Sequence, residues 1–163
     1  MVNRIGSTFP DYARGTVGFM QVQPNSRNVV PGLVRMTVDL RNAKDATLSL
    51  MADELKAQAA AIAGQCRTKI EIREVVYFPP SEFDRRLVGS VREAAHKLGY
   101  SARDIVSGAA HDAVYLARVA PAAMVFIPCE GGISHNEIES ARREDAEAGC
   151  NVLLHAVLAR AKE

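Results

Sequence analysis

A chain of 163 residues is long enough to form an ordinary domain that buries roughly 70% of its unfolded surface, so it does not require a disulfide scaffold. Hydrophobic residues at 48%, charged residues at 24% and a net charge of +1 exclude a disordered chain, a collagen and a strongly basic nucleic-acid-binding protein. No apolar run approaches the roughly 20 residues of a membrane helix, and the N-terminus lacks the apolar core of a signal peptide, so we expect a cytoplasmic protein without membrane or nucleic-acid partners.

The first part of the chain, up to about residue 80, predicts the order strand, strand, helix, strand. Apolar and polar residues alternate over residues 34–41, the pattern of a half-buried strand, which places Arg41 on the solvated face. Residues 16–23 predict its partner, and the turn-forming residues between the two segments indicate a wide hairpin.

An apolar stripe with helical spacing follows the hairpin. It predicts a helix that begins behind Asp45, packs on the sheet and ends at Gly64, where glycine accepts the left-handed conformation of a helix C-terminus. A second alternating segment around Ile70 and Ile72 predicts a third strand, which stops at the proline pair 79–80.

Beyond residue 80 the pattern changes to an alternation of helices and strands. Residues 81–84, Ser-Glu-Phe-Asp, have capping-box spacing and predict a helix that runs to Gly99. The apolar run 122–127 predicts a strand covered on both faces, as in a parallel sheet, with helices at about 112–119 and 145–161 covering it. A sheet with so few local strands is thin, which indicates that part of the fold is missing.

Three cysteines are an odd number without a CxxC pair, which favours neither a disulfide framework nor a thiolate zinc site. The reduced cytoplasm fits this composition. Because free cysteines are usually small core residues, Cys66, Cys129 and Cys150 are interpreted as structural.

His135 lies in a segment rich in small and polar residues directly after the predicted strand 122–127. In α/β sheets ligands gather beyond the carboxyl ends of strands, so this histidine is well placed to bind one. Its neutral imidazole can ligate zinc, with Glu139 fixing the tautomer. The alternative is a loop histidine that only hydrogen-bonds backbone.

His111 follows three small residues, Gly108, Ala109 and Ala110. Small residues let a substrate approach the backbone closely, so His111 can donate a hydrogen bond to a developing oxyanion. The alternative is a histidine at a helix start whose ring satisfies local backbone groups, with Asp112 as an acid in the first turn.

Asn28 and Arg41 are further candidates: an amide in a turn and a guanidinium on the solvated face of the next strand. The planar fork of arginine matches a carboxylate with two hydrogen bonds and would anchor an acid. The alternative is an exposed arginine that pairs across the sheet with an acid.

Three segments carry a resemblance to a known family, and they occur in the same order along the chain as in that family. They are PNSRNVVPG with TVDLR, SGAAHDAVYLA, and AAMVFIPCEGGISHNEIE. They resemble the matching segments of the amidase, hydantoinase/carbamoylase family. That family includes N-carbamoyl-L-amino-acid hydrolases, allantoate amidohydrolases and β-ureidopropionases, within the zinc exopeptidase-like amidohydrolases. The resemblance extends from about residue 16 to residue 158.

The resemblance implies roles for individual residues. His135 matches the last metal ligand, which binds the second of two zinc ions, with manganese as another metal used. His111 matches the histidine that holds the substrate and polarises the scissile carbonyl. Asn28 and Arg41 match the lid-domain residues that bind the substrate's carboxylate end. Ala110 replaces the usual glycine, and its methyl group is expected to crowd the backbone contact to substrate.

The chain also departs from the family pattern. It has no HxD histidine, bridging aspartate, Glu-Glu pair or further histidine ahead of the lid. It therefore resembles a fragment. Residues 1–80 match part of an α+β lid or dimerisation domain with antiparallel strands, and residues 81–163 match the C-terminal part of an α/β catalytic domain.

Two functional hypotheses follow from the resemblance. The first is part of a hydrolase acting on linear amide C–N bonds of N-carbamoyl amino acids or ureido acids, inactive alone because most metal ligands and the catalytic glutamate are absent. The second is a non-catalytic dimerisation or carboxylate-binding module; a truncated reading frame is a third explanation. A homodimer is expected in either case, the missing N-terminal half is a further candidate partner, and apolar surface is expected at residues 122–127.

Overall fold

The computed structural model describes residues 1–10 and 12–161. The chain divides after Pro80 into two compact units, and each unit has a hydrophobic core of its own. Among the described residues, no helix combines the length and the apolar character that a bilayer-spanning segment requires.

The first unit consists of a short helix, a β-hairpin and a long helix. Its elements are α1 (Val2–Thr8), β1 (Arg14–Gln23), β2 (Leu33–Arg41) and α2 (Asp45–Cys66). The predicted hairpin is confirmed: β1 and β2 pair antiparallel, with Gln23 opposite Leu33 at the loop end and Arg14 opposite Arg41 at the other end. The ladder is irregular between Val17 and Phe19, so one strand carries a bulge there.

The core of the first unit forms where α1 and α2 meet the hairpin. Ile5, Ala13 and Met51 are buried, and the half-buried side chains of Phe9, Leu40 and Leu55 pack around them. Helix α1 was not predicted, because seven residues with two apolar anchors give too short a pattern to show a helical period. Its place in the core comes from tertiary packing.

Two sequence predictions for the first unit are wrong. Helix α2 continues past Gly64 to Cys66, and Arg67 adopts the left-handed conformation at its end, with φ 52°. Residues 70–73 form no strand, because a strand requires a hydrogen-bonded partner and the described part of the chain offers none to this segment.

The second unit is built mainly from helices. They are α3 (Arg85–Lys97), α4 (Asp112–Leu116) and α5 (Arg143–Arg160), with a short 3-10 helix at Glu130–Gly132. Helices α3 and α5 pack together through four buried residues, Ala94, Ala95, Val152 and Ala156. Small alanines at this contact allow the two helix backbones to approach closely.

The apolar run 122–127 is not a strand of a parallel sheet, so that prediction is wrong. Within the described ranges the run has no partner strand, although the carbonyl of Ala122 accepts a hydrogen bond from the backbone N–H of Asp84 at 2.9 Å. Val125 packs against the α3–α5 core. Phe126 and Ile127 are exposed, which confirms apolar surface at the end of this run.

The N-cap of α3 is Asp84 rather than Ser81, which corrects the predicted start. The Asp84 carboxylate accepts hydrogen bonds from the backbone N–H groups of Arg86 and Leu87, both at 3.0 Å. These bonds, led by the one from Leu87, lower the pKa of Asp84. The end of α3 agrees with the sequence, since Gly99 follows it with φ 73°.

Asp84→Ala is expected to fray the first turn of α3. Because the folded pKa of Asp84 lies below its ordinary value, the cap stabilises fully above about pH 4 and is lost as the pH falls through the folded pKa. Amide hydrogen exchange in the first turn of α3 measures both effects. Asp84→Asn should keep slow exchange at neutral pH and lose the acid dependence, whereas unchanged exchange in Asp84→Ala would show that the cap contributes nothing.

The cysteines were interpreted as structural because free cysteines are usually core residues, and this reason does not hold for two of the three. Cys66 and Cys150 are exposed, Cys129 is half-buried, and none forms a disulfide. Cys66 is the last residue of α2.

Candidate functional site

His135 lies on a loop with three residues in the left-handed backbone region. These are Gly131 (φ 61°), Gly132 (φ 70°) and His135 itself (φ 57°). Glycine adopts this conformation freely, but histidine does so at a cost that surrounding contacts must offset. The loop therefore fixes the backbone of His135 in an uncommon conformation and leaves its side chain exposed.

Glu139 supplies the contact that holds this conformation. One carboxylate oxygen accepts a hydrogen bond from the backbone N–H of His135 at 2.7 Å, and the other lies 3.7 Å from the Cys129 thiol. Partial burial of that thiol, together with the Glu139 charge, raises the pKa of Cys129. The prediction that Glu139 fixes the imidazole tautomer is wrong, because the carboxylate contacts the backbone of His135 and not its ring.

A second pair closes the same loop. The backbone N–H of Glu130 donates to the carbonyl of Ser140 at 2.8 Å, and the Ser140 hydroxyl donates to the Glu130 carboxylate. The two ends of the loop are thus tied together around His135. Sequence reasoning did not identify Glu130 and Ser140, since their ten-residue separation follows no helical or strand period.

His111 stands at the N-terminal boundary of α4, with extended backbone. Its Nε2 lies 2.6 Å from the Ser107 hydroxyl oxygen, and its ring meets the edge of Phe126 at 5.5 Å between centroids. The ring makes no capping bond to α4, so the interpretation of His111 as a residue that satisfies helix-start backbone groups is wrong. Ala110, directly before it, is exposed.

Arg41 is the last residue of β2, and its guanidinium group forms two hydrogen bonds with a carboxylate of the same strand. Its Nε and Nη2 donate to the two oxygens of Asp39 at 2.9 and 2.8 Å. These hydrogen bonds raise the pKa of Arg41 and lower that of Asp39. The acid expected across the sheet is therefore two residues away on the same face, and the pair is about half exposed.

Asn28 lies in the connection between β1 and β2, exposed to solvent, where its side-chain oxygen accepts a hydrogen bond from the Ser26 hydroxyl at 2.8 Å. Arg41 lies at the opposite end of the hairpin. The nine residues of β2 cover about 26 Å from Leu33 to Arg41 at about 3.3 Å per residue. One copy of the hairpin does not bring Asn28 and Arg41 together.

A metal ion requires more ligands than the described residues bring together. Catalytic zinc sites use about three protein ligands and a water. Among residues 1–10 and 12–161, no group of three or more histidine, cysteine, aspartate or glutamate side chains is arranged to hold a metal. The described side chains therefore do not form a metal centre by themselves.

The comparison with protein families decides the assignment. Residues 5–159 match the sequence model of a protein family that is described as peptidase family M20/M25/M40. The chain belongs to this family. The resemblance inferred from the three sequence segments is thereby confirmed, and so is a mixed fold of helices and an antiparallel two-stranded sheet.

Two named relatives share much of the sequence of this chain. An N-carbamoyl-L-amino-acid amidohydrolase from Rhizobium meliloti is 47% identical over 162 residues, which are 99% of this chain and 39% of that protein. An allantoate amidohydrolase from Bacillus subtilis (strain 168) is 34% identical over 144 residues, 88% of this chain and 35% of that protein. The chain thus spans less than two fifths of the length of either relative.

A solved crystal structure shares the fold of this chain. The crystal structure of an amidase of the hydantoinase/carbamoylase family from Burkholderia multivorans has a TM-score of 0.95 and 54% identity. The match covers 99% of this chain and 39% of that one.

Proposed function

We propose that the chain forms part of an amidohydrolase that cleaves the carbamoyl or linear amide C–N bond of N-carbamoyl-L-amino acids or ureido acids. The 47% identity to an N-carbamoyl-L-amino-acid amidohydrolase supports this substrate class. The observation that carries the proposal is the His111 ring, which Ser107 and Phe126 hold beside a run of small residues. This arrangement suits a hydrogen-bond donor to an amide carbonyl.

The remaining roles follow the positions that match the family. Arg41 and Asn28 bind the carboxylate end of the substrate, and His135 ligates one of two zinc ions, with manganese as the alternative metal. Such metal ions, when bound, polarise the carbonyl and activate water. Because the described residues hold too few ligands for a metal, we propose that this chain is inactive by itself.

The separation of Asn28 from Arg41 favours a homodimer. A single hairpin holds them at opposite ends, whereas two hairpins related by a two-fold axis can place Asn28 of one copy near Arg41 of the other. Apolar side chains on both faces of the sheet agree with such a partner: the neighbouring residues Phe19 and Met20 point to opposite faces and are 54% and 57% exposed. Light scattering of the purified chain measures the dimer.

The proposal is tested first by turnover and then by binding. The purified chain with zinc should not hydrolyse an N-carbamoyl-L-amino acid, and turnover would contradict the inactivity of the chain alone. The same ligand should bind with saturation in calorimetry. Arg41→Ala should weaken binding by about ten- to a hundredfold, the loss of a charged hydrogen-bond pair. Arg35→Ala, another exposed arginine of β2, is the matched control and should bind as the wild type does.

Asp39→Asn provides the opposite change. The Asp39 carboxylate occupies the fork of Arg41, so an acidic ligand must displace it. Removing the Asp39 charge should therefore strengthen binding of the N-carbamoyl acid. If neither Arg41→Ala nor Asp39→Asn changes the affinity, Arg41 is not the carboxylate anchor.

The alternative function is a non-catalytic dimerisation or carboxylate-binding module. The Arg41 fork and the too-small set of metal ligands among the described residues favour it. The two functions can be distinguished with a truncated, zinc-loaded homologous enzyme from which the region matching this chain has been removed. The chain is mixed with this truncated enzyme, and turnover is measured. Restored turnover supports the enzyme part, whereas dimerisation and Arg41-dependent binding without restored turnover support the module.

A further inference from the structure

Two contacts determine the setting of the His111 ring. The Ser107 hydroxyl oxygen lies 2.6 Å from Nε2, and the Phe126 ring stands edge-on to the imidazole at an interplanar angle of 64°. The ring makes no other hydrogen bond to the residues that the structure describes. Nδ1 of His111 is therefore the ring nitrogen left available to a ligand.

The direction of the Ser107–His111 hydrogen bond follows from what else contacts the hydroxyl. The Ser107 oxygen already accepts a hydrogen bond from the backbone N–H of Ala109 at 3.2 Å. A hydroxyl has one proton to donate, and a neutral imidazole has one nitrogen that accepts. These are the two hydrogen bonds that Ser107 makes to the described residues, so its hydroxyl proton has an acceptor among them only if it is donated to Nε2.

We propose that Ser107 is a positioning residue that donates its hydroxyl proton to Nε2 of His111 and so holds the ring in the Nδ1–H tautomer. The substrate part of this inference rests on the proposed function: Nδ1–H is then the donor that meets the amide oxygen. The opposite tautomer would present the Nδ1 lone pair, which repels a carbonyl oxygen. Ser107 thus determines whether His111 attracts or repels the scissile group.

The tautomer is measured without any substrate. Long-range proton–nitrogen NMR correlations on the ¹⁵N-labelled chain at about pH 8.5, where an ordinary imidazole is neutral, report which ring nitrogen of His111 carries the proton. The expected result is protonated Nδ1 and unprotonated Nε2. Protonated Nε2 in the wild-type chain would overturn the proposal directly, whatever happens to any variant.

Three variants separate positioning from general structure. Ser107→Ala should shift His111 to a mixture of both tautomers, and Ser107→Thr, which keeps the hydroxyl, should retain the Nδ1–H form. Ser101→Ala, an exposed serine of the same unit, is the matched control and should change nothing. A tautomer unaffected by Ser107→Ala overturns the proposal, with an amide spectrum like that of the wild type confirming that the variant is folded.

A ligand titration distinguishes failure of this inference from failure of the proposed function. Ser107→Ala should weaken binding of an N-carbamoyl-L-amino acid by about two- to tenfold, the value of one neutral hydrogen bond, and Ser107→Thr should restore it. If the tautomer depends on Ser107 but ligand affinity does not, Ser107 positions His111 and the assigned substrate role is wrong. If affinity falls without a change of tautomer, the positioning role is wrong.

Discussion

Met51→Ala is expected to lower the free energy of unfolding of the first unit by about 2–5 kcal/mol. Met51 has no exposed surface and lies in the core where α2 meets α1 and the hairpin, beside Ile5 and Ala13. Truncating it removes buried apolar surface and leaves a cavity that its neighbours fill only partly. Because this core has three buried members among the described residues, one cavity disrupts a large share of it.

The matched control is Met36→Ala on β2. Met36 is 52% exposed, so the same truncation should change the free energy by no more than about 0.5 kcal/mol. Urea unfolding followed by amide NMR signals of β1 and β2 measures both variants in the unit that contains them. Equal losses in the two variants would show that the α2–hairpin core does not stabilise the first unit.

The helices and the hairpin could be predicted because their signals are local. The apolar stripe of α2 and the alternation along β2 depend on residues three or four apart, or two apart, and give those elements within a few positions. The predicted positions of the helix ends were less accurate. Ser81 and Asp84 both satisfy a capping pattern, and Arg67 took a left-handed conformation that the sequence assigned to Gly64.

The two strands predicted at residues 70–73 and 122–127 show what a local pattern leaves out. Both segments have strand-like composition, but pairing depends on a partner distant in sequence, which alternation does not specify. Residues 122–127 instead lie beside helices, where Val125 joins the α3–α5 core. An apolar run predicts burial more reliably than it predicts a sheet.

The sequence names candidate site residues one by one, but it does not give their arrangement. The small-residue segment indicates His111, whereas its partners Ser107 and Phe126 follow from the structure, because Ser107 lies before α4 and Phe126 after it. Glu139 was expected at the imidazole of His135 and bonds its backbone instead. Side-chain direction in loops depends on φ and ψ at individual residues, which sequence spacing does not give.

Gly6→Ala is expected to destabilise the first unit by about 1–3 kcal/mol, the usual cost of overpacking. Helix α1 rests directly on β1: a Cβ at Gly6 would overlap the backbone nitrogen of Gly15 and lie 3.0 Å from the carbonyl carbon of Arg14. These are backbone atoms that cannot rotate aside. The helix must move away, and Ile5 moves with it out of the core.

Gly64→Ala is the matched control, with an effect of opposite sign. Gly64 lies inside α2, and a Cβ there meets no heavy atom within 4 Å, so the change should stabilise α2 by about 0.5–1 kcal/mol through the higher helix propensity of alanine. Urea unfolding of both variants and of the wild type measures the change in the free energy of unfolding, which should be negative for Gly6→Ala and positive for Gly64→Ala. A Gly6→Ala chain as stable as the Gly64→Ala chain would mean that α1 does not pack on β1, because helix propensity alone favours alanine at both positions.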